Sequence, residues 1–232
     1  MTVAAALVAA DLALQRGIAG WRGAGAPPAA VVQAATTEER IELRMARDPR
    51  LERGVLQKLP ARLARDVADD VAARRDLLRL APHRPGPPVR LGPALPVARL
   101  RAYYAEGQRR SRVPWQVLAA VNFVESDFGR LREASASGAQ GPMQFMPATW
   151  ATYGRGNVHD PRAAILAAAR YLRAAGAPAD ERAALLRYNP SSLYVDAVER
   201  YAGRIRRDPT AFLVFYARRV VVRSADGWRP LD

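Results

Sequence analysis

Prolines and capping residues punctuate the middle of this chain at intervals that suit short helices. Pro114 fits the first turn of a helix ending near Gly129. Pro147 opens a short helix through Trp150, and Asp160-Pro161 reads as an N-cap followed by proline at the first helical position. The alanine-rich run behind it ends at Gly176. Asp180 can cap a helix to about Tyr188. Pro190-Ser191-Ser192 starts the next, in which Leu193, Ala197, Tyr201 and Ile205 recur every four residues. Five helices with short loops thus fill residues 99–207. Hydrophobic residues make up 50% of the chain and aromatic ones 7%, and much of the apolar share is alanine, which favours close helix packing through small side chains. The expected fold class is all-α, or mainly α.

The flanks have a different texture. Residues 1–80 read as an N-terminal helical region. Thr36-Thr-Glu-Glu39 fits a capping box, and Pro49 and Pro60 break the run into shorter helices. From Ala61 to Leu80, Leu63, Val67, Val71, Leu77 and Leu78 leave an apolar stripe that suits a packing face. Residues 81–98 carry six prolines and two glycines and read as a linker or extended strap. Residues 208–232 form a C-terminal extension, in which Phe212 to Arg223, rich in Val, Phe and Tyr, predicts a β-strand.

Several function classes are excluded or disfavoured. There is no cysteine, so thiol catalysis, disulfides and thiolate metal sites are absent. His83 and His159 are far apart and in no metal-ligand spacing. No cofactor or metal is expected. No run of 18 apolar residues occurs, so no transmembrane segment is expected. Thr2 to Ala10 is apolar enough for a short export signal, but no cation precedes it and Asp11 interrupts it. The net charge is +14, and Lys58 is the single lysine. Such a chain is drawn to polyanions such as nucleic acid, anionic lipid or an acidic cell wall. The arginines are scattered and no nucleic-acid motif is present, so nucleic acid is not the expected partner.

Glu125 is the residue with the most chemistry in it. It ends the run Val113 to Glu125, where Leu118, Val121 and Val124 share its side of a 3.6-residue wheel. Desolvation there penalises the carboxylate and raises its pKa, which suits a general acid near neutral pH. Downstream, Ser135 to Gln144 reads Ser-Ala-Ser-Gly-Ala-Gln-Gly-Pro-Met-Gln. Its two glycines, Gly138 and Gly141, allow close backbone approach to a ligand, and Ser135 and Gln144 offer polar groups of the kind a carbohydrate needs. Tyr188-Asn189 adds an aromatic that can stack on a sugar face and an amide at a helix end.

Glu125-Ser126, then Gly138-Ala-Gln-Gly-Pro-Met-Gln-Phe-Met-Pro147, then Asp160-Pro to Ala-Arg-Tyr-Leu172, then Tyr188-Asn189 resemble the soluble lytic transglycosylase domain. Pro142 and the Asn-Pro-Ser after Tyr188 look like variants common in actinobacteria. The resemblance implies a lysozyme-like helical fold over residues 99–207. It also implies cleavage of the MurNAc-β-1,4-GlcNAc bond of peptidoglycan, leaving 1,6-anhydroMurNAc ends. It makes Glu125 the acid/base and puts Ser135, Gln144 and Tyr188 in the sugar cleft, supported by Asn189. Peptidoglycan as substrate implies the cell envelope or the secreted fraction.

Two departures from the family pattern stand out. Pro142 replaces the usual leucine and removes an N–H, and Arg187 replaces the usual alanine and brings a cation beside the cleft. Two other readings remain. One is a hydrolytic muramidase on the same fold, for which Asp127 is about 200° round the helix from Glu125 and poorly placed. The other is a non-enzymatic basic protein that binds wall polymer or nucleic acid.

Overall fold

The computed structural model describes residues 1–80, 90–132, 134–135 and 137–220 and, as backbone, 221–224 and 227–230. Eleven helices and one two-stranded hairpin make up these residues, so the fold is all-α in its core. In the N-terminal part α1 spans Val3–Trp21, α2 Ala29–Met45, α3 Pro49–Leu56 and α4 Ala61–Leu80. The central part holds α5 Val97–Ser111, α6 Trp115–Ser126, α7 Pro147–Tyr153, α8 Pro161–Ala174, α9 Glu181–Tyr188 and α10 Ser192–Arg207. Then come α11, Ala211–Ala217, and the antiparallel strands β1 (Val221–Ser224) and β2 (Gly227–Pro230).

Punctuation places the central helices. Asp160 Oδ1 accepts from Ala163 N at 2.7 Å, and Asp180 Oδ1 accepts from Ala183 N at 2.9 Å. Each bond satisfies one of the orphan donors of a first turn. Pro161 and Pro147 occupy first-turn positions, where a missing N–H costs nothing. Thr36 caps no helix: it lies inside α2, which starts seven residues earlier at Ala29. The Glu38-Glu39 pair that suggested the capping box is buried against cations instead.

The expected strand at Phe212 to Arg223 is corrected in part: its end, from Val221, lies in β1. The first half of the run is α11, buried along its whole length. A run that is apolar all round does not distinguish a buried helix from a buried strand by its period. Here Phe212 meets Tyr104 and Trp115 edge-on at 6.0 Å, and Phe215 stacks on Phe123 at 5.1 Å. α11 thereby closes an aromatic core shared with α5, α6 and α10.

One core cluster runs from Leu14, Ile18 and Trp21 of α1 and Val31 and Ala35 of α2 through to Leu118, Tyr201 and Phe215. A second lies within the N-terminal helices around Leu7, Met45, Leu63, Val67 and Val71. Among the described residues α1 is long and apolar enough to cross a bilayer, contrary to the count of uninterrupted apolar residues. Asp11 breaks the run without lowering the average enough. In this fold Leu7, Leu14, Ile18 and Trp21 are buried in the cores, and Asp11 pairs with Arg62 at 2.5 Å.

A buried polar seam joins α2, α4, α10 and the end of α11. Arg218 donates to Glu42 at 2.9 Å and to Asp70 at 3.1 Å, while Arg204 donates to Asp70 at 2.7 Å. Arg74 pairs with Glu39. The proline-rich 81–98 segment lies outside the described residues up to position 89. Residues 90–96 form an extended strap, in which Gly92 N donates to the Arg130 carbonyl at 2.9 Å and Arg132 N to the Arg90 carbonyl at 3.1 Å, and the last two residues of the expected linker already belong to α5.

Candidate active site

α6 carries Leu118 and Val121 fully buried, and Glu125 follows them on the same side. The helix stops at once, because Asp127, Phe128 and Gly129 all take left-handed backbone, with φ of 49°, 59° and 81°. Such a conformation is costly for a phenylalanine. It is held by Ser126 Oγ, which accepts from Gly129 N at 2.9 Å, and by Phe128 itself, stacked on Phe123 at 5.3 Å. The sharp turn leaves Glu125 at the end of the helix face.

Glu125 is half-buried. Burial pushes its carboxyl up to about 7, and a hydrogen bond from Tyr194 Oη at 2.7 Å opposes that rise. No charged side chain contributes to the shift. The Tyr194 hydroxyl is itself pushed well above its ordinary value by burial and by Glu125, so it stays a donor. Glu125 is therefore still partly protonated near neutrality, and Tyr194 orients its carboxyl by donating to one oxygen.

The Gly138 to Phe145 loop stands beside this helix end, closed by reciprocal backbone bonds of 2.9 Å between Gln140 and Phe145. Three side chains pin it, two of them fully buried. The Pro142 carbonyl accepts from Ser126 Oγ at 2.6 Å and from Asn122 Nδ2 at 2.8 Å. Asn122 Oδ1 accepts from Tyr104 Oη at 2.6 Å. The Met143 carbonyl accepts from Tyr188 Oη at 2.7 Å. Gly141 has φ 72°, and a Cβ there would lie 2.1 Å from the Val158 carbonyl oxygen. Proline at 142 does remove an N–H, but it is the carbonyl of that residue that makes the anchoring contacts.

The other expected site residues sit as follows. Gln144 takes a left-handed φ of 45° and donates from Nε2 to the Gly141 carbonyl at 2.9 Å. Ser135 Oγ accepts from Ala139 N and lies 2.9 Å from Ser137 Oγ, so it shapes the start of the loop. Tyr188 is drawn in beside Glu125, between Tyr171 (5.4 Å) and Tyr194 (6.5 Å, 6° between planes). Phe145 adds an edge contact at 6.0 Å, so aromatic neighbours crowd this ring. Asn189 is half-buried at the end of α9 and its side-chain amide has no hydrogen-bond partner among the described residues.

Tyr194, Asn122 and Ser126 were not among the expected site residues. The repeat of apolar positions on α10 gave no reason to single out Tyr194. Asp127, the second carboxyl near Glu125, faces elsewhere. It lies 3.4 Å from Arg130 and feels Glu39 and Arg74. A cavity of about 530 Å³ lies between Pro27, Leu91, Arg130, Tyr216 and Val220, and none of the residues around Glu125 lines it. Among the described residues no cluster of metal-ligating side chains occurs.

A helical domain that ends a core helix in one desolvated carboxyl, beside a pinned polar loop, defines a candidate glycan-cleaving protein of the lysozyme-like kind. Residues 102–207 match the family described as the Transglycosylase SLT domain. The match supports a peptidoglycan-acting function of the lytic-transglycosylase type for that stretch. No curated protein and no solved structure matches.

Proposed function

We propose that this protein is a lytic transglycosylase that cleaves the MurNAc-β-1,4-GlcNAc bond of peptidoglycan without water, with Glu125 as its only acid/base. The observation that carries the reading is the carboxyl of Glu125, raised to about 7 by burial, oriented by Tyr194 and in contact with no second acid. In the first half-reaction Glu125 gives its proton to the glycosidic oxygen as the C1–O bond breaks. In the second, the carboxylate so formed takes the proton of the C6 hydroxyl of the same muramyl residue, whose oxygen bonds to C1. The 1,6-anhydro ring closes and Glu125 is protonated again, so no water is consumed.

Most glycosidases use a second carboxylate as nucleophile or water activator. Asp127 is the nearest in sequence, but it pairs with Arg130, and the other charges it feels, Glu39 and Arg74, belong to α2 and α4. This favours the anhydro product over the hydrolytic one. In this reading Ser126 and Asn122 fix the loop, while Gln144, Tyr188 and Asn189 line the cleft. Ser135 supports the loop from its start. Residues 99–207 would carry the reaction, the N-terminal helices would buttress α6 and α10, and the protein would act in the cell envelope or outside the cell.

The test is digestion of purified peptidoglycan with product analysis by mass spectrometry. Anhydromuropeptides from the native protein and none from Glu125→Gln are expected. Reducing-end products alone, or undiminished activity in Glu125→Gln, would refute the mechanism.

A further inference from the structure

The row of tyrosines does not stop at the carboxyl. From Glu125 it runs through Tyr194 and Tyr188 to Tyr171 and on to Tyr153, with ring centroids 6.5, 5.4 and 4.8 Å apart. The inner hydroxyls are engaged: Tyr188 bonds the Met143 carbonyl and Tyr171 the Arg187 carbonyl at 2.6 Å. Tyr153 is half-buried and its hydroxyl has no hydrogen-bond partner among the described residues.

Arg155, Arg170 and Arg187 flank this outer end, and the nearby Arg110 is paired with Glu106 at 2.7 Å. Arg170 donates from Nε and Nη2 to the Tyr153 carbonyl, at 2.9 and 2.6 Å. Burial depresses its pKa first, and Arg155 and Arg110 add to the depression, as like charges close by must. Arg187 is exposed and stands near enough to Tyr171 to stabilise its phenolate form. Arg155, Arg170 and Arg187 form no salt bridge among the described residues. Much of the rest of the surface differs. Arg162 pairs with Glu106, Arg182 with Asp196 and Glu199, Arg206 with Glu181, and Arg207 with Asp69. Unpaired cations clustered at one end of an aromatic row are a standing attraction for an anion.

We propose that Arg155, Arg170 and Arg187, with the Tyr153 hydroxyl, form a docking site for an acidic substituent on the glycan strand that Glu125 cleaves. The proposal rests on the transglycosylase reading for the identity of the strand. The ligand chemistry is a carboxylate or phosphate tethered to the sugar backbone. It could come from a stem peptide or from a phosphate-linked polymer. Arg170 is held by the Tyr153 carbonyl and so presents its remaining N–H groups in a set direction, while the more exposed Arg155 and Arg187 close on the anion from the loop before α8 and the end of α9. The half-buried rings of Tyr153, Tyr171 and Tyr188 would carry the intervening sugars.

The experiment compares the native protein with the double variant Arg155→Gln, Arg187→Gln, which leaves Arg170 and its structural bonds untouched. Three substrates are used: intact wall, wall stripped of phosphate-linked polymer, and glycan strands freed of both polymer and peptide. The site predicts that KM on the acidic strands rises about three- to tenfold in the variant, the scale of two partly exposed charge pairs. kcat should hold, and KM on bare strands should not change. Loss of the effect on polymer stripping identifies phosphate as the source; its persistence until the peptides are removed identifies carboxylate. Equal KM values for both proteins on all three substrates would overturn the docking site. Co-sedimentation of Glu125→Gln with the same substrates, with and without the arginine changes, reads the site without catalysis. If the native protein releases no anhydro product, the transglycosylase reading fails, and the sedimentation result still decides whether the arginines select acidic strands.

Discussion

Raising the pH from about 5 to about 8 should weaken the junction between the N-terminal helices and the rest of the molecule. Glu42 and Glu38, at 1% and 2% exposure, face Arg218, Arg204 and Asp70 across the seam. Burial outweighs the nearby guanidinium groups and pushes Glu42 up to about 8 and Glu38 up to about 7. Glu38 Oε2, Glu42 Oε2 and Asp70 Oδ1 have no hydrogen-bond partner among the described residues, so a second negative charge there would meet little compensation. Both acids bind protons more tightly folded than unfolded. Their contribution is therefore complete below about pH 4.5 and is lost as the pH rises through about 7 and about 8.

At about 1.4 kcal/mol per pKa unit, each acid has an upper bound of roughly 3–5 kcal/mol. The two are not additive, because Glu38 itself raises Glu42. A loss on the order of 3–5 kcal/mol, at about 2–4 °C per kcal/mol for a chain of this size, corresponds to a fall in Tm on the order of 10 °C. Calorimetric unfolding of the native protein and of Glu38→Gln, Glu42→Gln at about pH 5, 6, 7 and 8 measures it. The double variant keeps both positions neutral and should show a shallower decline, with its greatest advantage at about pH 8. A native Tm that is level or rising over this range, or a variant with the same slope, would refute the reasoning.

Three further outcomes are expected. Cleavage needs Glu125 protonated, so the rate should fall as the pH passes about 7. Tyr194→Phe removes the bond that favours the carboxylate, and the falling limb of the pH–rate profile should move to higher pH; a limb that stays put or moves down would contradict the assigned role of that hydroxyl. Gly141→Ala sets a Cβ against the Val158 carbonyl as well as straining a left-handed φ, and should cost about 2–4 kcal/mol by denaturant unfolding. Gly138→Ala, with φ 89° but open space around it, should cost about 1–2 kcal/mol, so equal losses at the two positions would show that the steric argument is wrong.

Much of the central helical order was legible because its signals are local. Asp160, Pro161, Asp180 and Pro147 act on their own first turns, and the structure starts helices at those points. Where a signal was local only in form, it misled. Thr36-Thr-Glu-Glu39 has the spacing of a capping box, but the helix continues through it because Glu38 and Glu39 are met by Arg218 and Arg74 from other elements. At Phe212 to Arg223 the residue types suit a strand. The aromatic partners that make its first half a helix, Tyr104, Trp115 and Phe123, lie far away in sequence.

The amino-acid order alone determined where the central helices begin, that Glu125 ends an apolar helix face, and which motifs surround it, because caps, prolines and a 3.6-residue period act over a few neighbouring positions. Only the tertiary structure decided what that glutamate touches. Tyr194 arrives from 69 residues downstream to orient it, the Pro142 carbonyl is captured by Ser126 and Asn122, and the N-terminal helices are joined to α10 through buried arginines. Those contacts depend on burial and on charges brought together across the fold, and neither is encoded in any short stretch of the chain.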